Sequence, residues 1–383
     1  MIGSALIEER LRNELSALEQ KQRKRDLRLS DAIDFTSNDY LGLTKSPVIR
    51  ERVIKALAEG MPLGSGGSRL LRGNHKWHEQ AEKDFAQFEG VEEALFFSSG
   101  YAANMAVLTA VPTRHDLILY DTMVHASIKE GIHASHAAKI SFEHNSVSSL
   151  RSIVLASKDI TNIYVIVESL YSMDGDEAPL YEIALLCEEL SLSLIVDEAH
   201  ATGIFGAHGR GLVDENNVRD NILLSIHPCG KALAAGGAFV CCSSTIKSYL
   251  INKARTMIFT TALPPIVPLT ISEVLREIES HPSLITRVHD NAHYVRSKLK
   301  THLKKWIVLD GRSPIIPLII GEDDIICAVT DEMQRRGCDI RPIRPPTVAE
   351  GTARFRITVN ALHSAEELDL LCDFLIEIEK ECQ

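Results

Sequence analysis

The 383-residue sequence has no Cys-x-x-Cys pair, no uninterrupted apolar run of membrane-spanning length and no surplus of positive charge. Its eight cysteines (187, 229, 241, 242, 327, 338, 372 and 382) are scattered. That spacing excludes a four-ligand zinc site, and the cysteines read as reduced thiols. The opening MIGSALIEERLRNEL carries acids and arginines where a signal peptide needs apolar residues, and no later run is long enough to span a bilayer. A cytoplasmic protein without a membrane partner is therefore expected. The net charge of −11 argues against nucleic acid as a partner, and the basic run from Lys21 to Arg28 reads as a solvated helix face.

What is present is the material of a folded enzyme. Hydrophobic residues make up 45% and charged residues 24%, enough to bury a core without any bias toward disorder. The length calls for one large domain and a smaller one. Leu6, Leu11, Leu15 and Leu18 recur at helical intervals in an N-terminal arm, assigned to residues 1–45. Between residues 80 and 245, helical stretches alternate with the apolar runs EALFFSSG, LILYD, AKISFEH, IYVIVES, SLIVDEAH, ILLSIHP and GAFVCCS. Such runs imply parallel strands covered on both faces, so residues 46–283 are expected to form a doubly wound α/β domain. Residues 284–383 read as a smaller α+β domain. In a sheet of this kind chemistry sits at the carboxyl ends of the strands.

Three features at those strand ends carry chemistry. Lys231 follows ILLSI among small residues in PCGKALAAGG; an amine losing hydration there becomes a nucleophile toward an aldehyde, although most lysines are solvated surface charges. SLSLIVDEAHATG delivers Asp197 and His200 to one rim, where a carboxylate in a dry site needs a cation such as a protonated pyridine nitrogen. A plain helix-capping aspartate would look the same. FFSSGYAANMAVL turns from strand into helix, so backbone N–H groups and the hydroxyls of Ser98 and Ser99 form a phosphate seat. GSGGSRLLRGNH frees the backbone for close approach to a ligand or another chain, or is a flexible loop.

The blocks SNDYLGL, GSGGSRLLRGNHKWHEQAE, SSGYAAN, HAS, ESLYSMDGDEAPL, VDEAHATGIFGAHGRG, GKALAAGGAFV, FTTALPP and IRPPTVAEGTARFRITVNALH stand in the order of the α-oxoamine synthase family. By these blocks the chain resembles that family, over nearly its whole length. The resemblance implies a fold-type I, pyridoxal 5'-phosphate-dependent C-acyltransferase working as a homodimer with shared active sites, without a metal. The paired prolines after Arg344 are most similar to the branch that condenses L-alanine with a pimeloyl thioester, on coenzyme A or an acyl-carrier protein, to give 8-amino-7-oxononanoate, CO2 and free thiol in biotin biosynthesis. Glycine C-acetyltransferase, serine palmitoyltransferase and, more remotely, a pyridoxal-phosphate aminotransferase are the alternatives.

The resemblance also implies roles. Lys231 would hold the cofactor covalently and move the substrate proton, His125 would stack on the cofactor ring and face the substrate, and Asp197 would pair with the ring nitrogen. Ser172 and His200 would bond polar substituents. Ser99, Gly100 and Tyr101 would lie at the phosphate seat, with Thr260 and Thr261 reaching the phosphate of the neighbouring subunit. Arg344 would take the amino-acid carboxylate, Thr347 would line the acyl site, Asn38 would lie near the substrate, and an early arginine (Arg23, Arg25 or Arg28, placed at Arg28) would serve the acyl side. The chain departs from the family three residues before Lys231, where Pro228 replaces a threonine or serine; His227, Ser225 or the partner's threonines are the candidates to replace the lost contact.

Overall fold

Six of the seven apolar runs align in one direction because helical segments between one and the next return the chain to the sheet's starting edge. The structure, a computed structural model, describes residues 2–21, 23–27, 29–157, 160 and 162–382. After a two-residue strand β1 (Ile33–Asp34) come β2 (Glu93–Phe97), β3 (Leu117–Asp121), β4 (Ala138–Phe142), β5 (Ile163–Glu168), β6 (Ser193–Asp197), β7 (Ile222–Pro228) and β8 (Ala238–Cys242). The last seven form one sheet in the order β2-β8-β7-β6-β5-β3-β4, parallel except for β8, which runs against both neighbours. This is the doubly wound sheet expected from the apolar runs, with β8 reversed, and the fold-type I architecture that the family resemblance implies. Strands β5, β6 and β8 are buried almost throughout, as a sheet covered on both faces requires, whereas β4 is an exposed edge.

A second sheet follows: β9 (Ile307–Val308), β10 (Ile315–Gly321), β12 (Pro342–Ile343) and β13 (Ala353–Thr358), ordered β12-β13-β10-β9 and wholly antiparallel. The short β11 (Cys338–Asp339) pairs in parallel with β1, so the segment after the N-terminal helix Ile2–Gln20 is stitched to the C-terminal part of the chain. Phe35 continues that seam, donating its N–H to Asp339 and accepting from Thr358. Buried apolar residues fall into two clusters, one around the seven-stranded sheet and one joining Phe35 to residues from Ala292 to Ile378. Helix Ser283–His302 contributes to both, through Val288 to the first and through Ala292, Val295 and Leu299 to the second.

Local chemistry fixes the elements that border the strand ends. Ser99 caps helix Gly100–Ala110 by accepting the N–H of Ala102 at 3.1 Å, and His125 caps helix Ala126–Ala134 in the same way. Gly100 packs so closely on the end of β7 that a Cβ there would lie 2.7 Å from the Pro228 ring. A glycine is needed for that helix to start where it does.

Candidate active site

The ends of β2, β3, β5, β6 and β7 converge on one cavity of about 370 Å³. Asp197, the last residue of β6, is 3% exposed; its Oδ1 accepts the N–H of Ala199 at 2.9 Å and its Oδ2 accepts from Asn104 Nδ2 at 2.9 Å. In register beside it on β5 is Glu168, also buried, which accepts the backbone N–H of His125. Burial and the neighbouring Asp197 push the Glu168 carboxyl well above the ordinary range.

Lys231 emerges from the turn after β7, held by bonds from Ala235 N to Cys229 O and from Cys229 N to Gly237 O. Lost hydration in the cavity lowers its pKa; Asp197 and Glu168 oppose that shift, and the Arg356 charge adds to it. His200 is buried, with Nδ1 2.7 Å from the Tyr40 hydroxyl, and burial beside Lys231 and Arg356 holds its pKa well below that of a free imidazole. His125, at the cavity rim, is held below its ordinary pKa by lost hydration, with Asp197 acting the other way.

Asn38, Ser99, Gly100, Tyr101, His125, Asp197, His200 and Lys231 all line this cavity, as do Ser98, Asn104, Ser127 and Glu168. The other expected residues lie elsewhere. Ser172 offers its backbone carbonyl to Arg356. Thr260 and Thr261 line a small separate cleft that shares Ser98 with the main one, beside the glycine-rich stretch through a bridge between Ser68 and Thr261. Arg344 approaches the Cys327 thiol at 3.1 Å, and its carbonyl accepts the Thr347 N–H; neither residue lines the cavity. Arg23 is engaged by Asp323 at 3.0 Å and Glu350 at 3.2 Å, which ties the arm to the segment following the paired prolines. Arg25 is exposed, and Arg28, the expected acyl-side arginine, lies outside the described residues.

Pro228 has no side-chain donor, and the two neighbours on its own strand cannot stand in for one. His227 is fully buried, bonded to Thr202 at 2.8 Å and Ser225 at 2.7 Å, in contact with the Phe85 ring and away from the cavity. Alternation along a strand sends residues 225 and 227 to the face opposite Pro228. That removes both of the candidates within β7 for the lost contact.

The sequence reading passed over Arg356. This residue of β13 is 9% exposed, donates to the Ser172 carbonyl, to Asn38 Oδ1 at 2.9 Å and to the Tyr40 hydroxyl at 3.3 Å, and its charge is felt by both Lys231 and His200. The signal was available: in RFRITVN two arginines at i and i+2 share one face of an otherwise apolar strand, a placement that calls for anions on that side. Arg354 meets Asp174; among the described residues Arg356 has no carboxylate as a hydrogen-bond partner.

A histidinium clamp holds the surroundings in place. His144 bridges Asp121 Oδ1 at 2.9 Å and Asp176 Oδ2 at 2.8 Å, joining the turn that presents His125 to the 171–177 loop. The two carboxylates raise its pKa to about 10, against the cost of burial. A histidine raised in this way stabilises the fold fully below its ordinary pKa, and the contribution is lost as pH climbs toward 10. His144→Gln is therefore expected to cost on the order of 2 kcal/mol at pH 6. In thermal melts the gap from the parent protein should shrink at alkaline pH; a gap that stays constant would show that charge is not the link.

Among the described residues no cluster of His, Cys, Asp or Glu could hold a metal ion, and no helix is long and apolar enough to cross a membrane. The model of the family described as aminotransferase class I and II matches residues 30–375. A relative named putative 8-amino-7-oxononanoate synthase, from Geobacillus kaustophilus, is 37% identical over 371 residues, 93% of this chain and 94% of its own. Among solved structures, 8-amino-7-oxononanoate synthase from Francisella tularensis superposes with a TM-score of 0.78 at 27% identity, covering 92% of this chain and 99% of that one. A serine palmitoyltransferase solved with pyridoxal phosphate gives a TM-score of 0.88 at 26% identity, covering 91% and 88%.

Proposed function

We propose, from the premise that the chain belongs to the aminotransferase class I and II family and within it to the α-oxoamine synthases, that it joins L-alanine to a pimeloyl thioester with loss of CO2 and thiol, forming 8-amino-7-oxononanoate. The observation that carries this reading is the meeting, in one cavity, of a dehydrated lysine, a buried carboxylate and a capped helix start. These residues fit pyridoxal phosphate: Lys231 for its aldehyde, Asp197 for its ring nitrogen, and the first turn of helix Gly100–Ala110 with Ser99 for its phosphate. When bound, the cofactor supplies an electron sink for the negative charge that develops at the amino acid's α-carbon.

The chain's own groups do the rest. The Lys231 Nζ, its proton affinity lowered, takes the α-proton of alanine and later returns a proton to the same carbon of the product. Asp197, buried at the strand end and accepting from Ala199 and Asn104, would set its carboxylate against the cationic ring nitrogen. Arg356, rather than Arg344, holds the alanine carboxylate, because it sits beside Asn38 at the cavity and its charge reaches Lys231. Asn38 and Tyr40 fix the fork in place.

Truncating one member of such a buried charge pair costs about 2–5 kcal/mol. Arg356→Ala is thus expected to raise the KM for L-alanine by at least ~30-fold, whereas Arg344→Ala should change it far less. The opposite ranking in steady-state kinetics would return the carboxylate to Arg344.

The proposal includes a homodimer in the cytoplasm. Leu63 before the glycine-rich stretch, Leu71 within it and Phe259 next to Thr260 are 84%, 80% and 71% exposed, apolar surface suited to a second copy whose threonines reach the phosphate. The assignment as a whole is tested by thiol release on mixing the loaded enzyme with pimeloyl-CoA and each of L-alanine, glycine and L-serine. Release confined to L-alanine supports it, and a preference for glycine or serine would transfer the chain to another branch of the family.

A further inference from the structure

Along the cavity wall a chain of polar contacts runs from Asp197 to the His125 ring. Asn104, on helix Gly100–Ala110, is 2% exposed, and its Nδ2 lies 2.9 Å from Asp197 Oδ2 and 3.0 Å from Ser127 Oγ. An ionised carboxylate can only accept, so Asp197 fixes which end of the Asn104 amide faces it. Both amide hydrogens are then committed, one to Asp197 and one to Ser127. Ser127, 1% exposed, therefore accepts from Asn104 and has its own proton left to give.

Among the described residues that proton has one hydrogen-bond acceptor, the His125 ring. Ser127 Oγ is 2.7 Å from His125 Nδ1, and the backbone N–H of Ser127 points at the same nitrogen at 3.1 Å, as the capping geometry of helix Ala126–Ala134 demands. A ring nitrogen that receives an O–H and an N–H cannot carry a hydrogen itself. The remaining proton of the neutral ring is on Nε2, which has no hydrogen-bond partner among the described residues and belongs to a ring that lines the cavity. The charged or titratable groups around this ring are Asp197, Lys231, Glu168 and His200; Glu168 engages only the backbone of His125, and His200 is held by the Tyr40 hydroxyl.

We propose that Asn104 and Ser127 are positioning residues that lock His125 as its Nε2–H tautomer, so that His125 meets the acyl substrate as a neutral hydrogen-bond donor to the thioester carbonyl oxygen and not as a base. The substrate half of this statement rests on the function proposed above; the tautomer half rests on the hydrogen-bond chain alone. The relay also makes the His125 tautomer depend on the charge of Asp197, through the orientation of one amide. Sequence could not display it, since its four members stand on three separate elements: Asp197 on β6, Asn104 on helix Gly100–Ala110, and His125 with Ser127 at the start of helix Ala126–Ala134.

The test is a long-range ¹H–¹⁵N correlation spectrum of the ¹⁵N-histidine-labelled protein loaded with pyridoxal phosphate, with the His125 signals identified by difference from His125→Gln. The expected result is an unprotonated, hydrogen-bonded Nδ1 and a protonated Nε2 that persist from pH 6 to 8.5. Protonated Nδ1, a rapidly exchanging mixture or a cation overturns the lock. In Ser127→Ala the Nδ1 signal should move toward that of a nitrogen with a weakened hydrogen bond, kcat should fall by roughly 10-fold, the KM for L-alanine should hold within about 2-fold of the parent, and Ser127→Thr should restore the parent values. An Nδ1 signal unmoved in Ser127→Ala removes Ser127 from the relay. A locked tautomer in an enzyme that releases no thiol from a pimeloyl thioester would keep the lock and overturn the function, whereas turnover with Nδ1 protonated would do the reverse.

Discussion

Lys231→Ala is expected to lose at least about 10³-fold in turnover, the combined loss of a nucleophile and of the base that moves the α-proton. The loss should fall on kcat, because the residues proposed to hold L-alanine, Arg356 and Asn38, remain bonded to each other without the lysine. It should also leave the fold intact. The amine is a guest of the cavity, held by backbone turns at Cys229 and Ala235 that alanine preserves, and removing a partly dehydrated amine does not open a core. Single-turnover thiol release, read beside a circular dichroism melt, checks both halves. Lys231→Arg is expected to be no better, since guanidinium stays charged and offers no lone pair. Retention of more than a tenth of the parent rate by Lys231→Ala would mean that another group carries the proton.

Asp197→Asn is the second large effect, with an expected loss of about 10²–10³-fold in kcat/KM. The change is nearly isosteric, so the penalty comes from charge and hydrogen-bond direction. The aspartate now accepts from Ala199 N and from Asn104 Nδ2. An asparagine can accept with one of those two atoms only; its NH2 then faces another donor, and either Asn104 rotates or a buried hydrogen bond is lost. The cationic ring nitrogen loses its counter-charge at the same time. Asp197→Glu keeps the charge but adds a methylene to a site 3% exposed, and should recover only part of the rate. Equal activity of Asp197→Asn and the parent protein would remove the ring-nitrogen contact from the account.

The strands that frame this chemistry were visible in the sequence because a doubly covered parallel sheet writes itself as consecutive apolar runs; all seven runs became strands of the large sheet. Lys231, Asp197, His125 and the Ser99 helix start were legible for a related reason: each follows directly on an apolar run, and the end of such a run is a rim position. Residues whose meaning depends on a distant partner were not. Arg356 comes beside Asn38, a residue of the cavity lining, because β13 packs against Asn38 and Ser172, 318 and 184 positions away in the chain; the paired arginines of RFRITVN mark a face that calls for anions but do not say which anion each one meets. Glu168 stood in view at the end of IYVIVE, but its high proton affinity comes from burial in the folded sheet and from lying in register with Asp197, and neither is written in its own segment. The pairing of β1 with β11 likewise joins residues from opposite ends of the sequence and has no periodic signature. The faces of Ser225 and His227 follow from strand alternation, so their exclusion as replacements at Pro228 was within reach once β7 was counted to its last residue.

The most direct test of the central claim follows the carboxyl carbon of alanine. Loaded enzyme mixed with [1-¹³C]-L-alanine and pimeloyl-CoA should release labelled CO2 and free coenzyme A in equal amounts, and mass spectrometry should find an unlabelled amino ketone that keeps the alanine nitrogen and methyl group. Labelled pyruvate in place of labelled CO2, with no thiol released, would contradict the account and make the protein an aminotransferase.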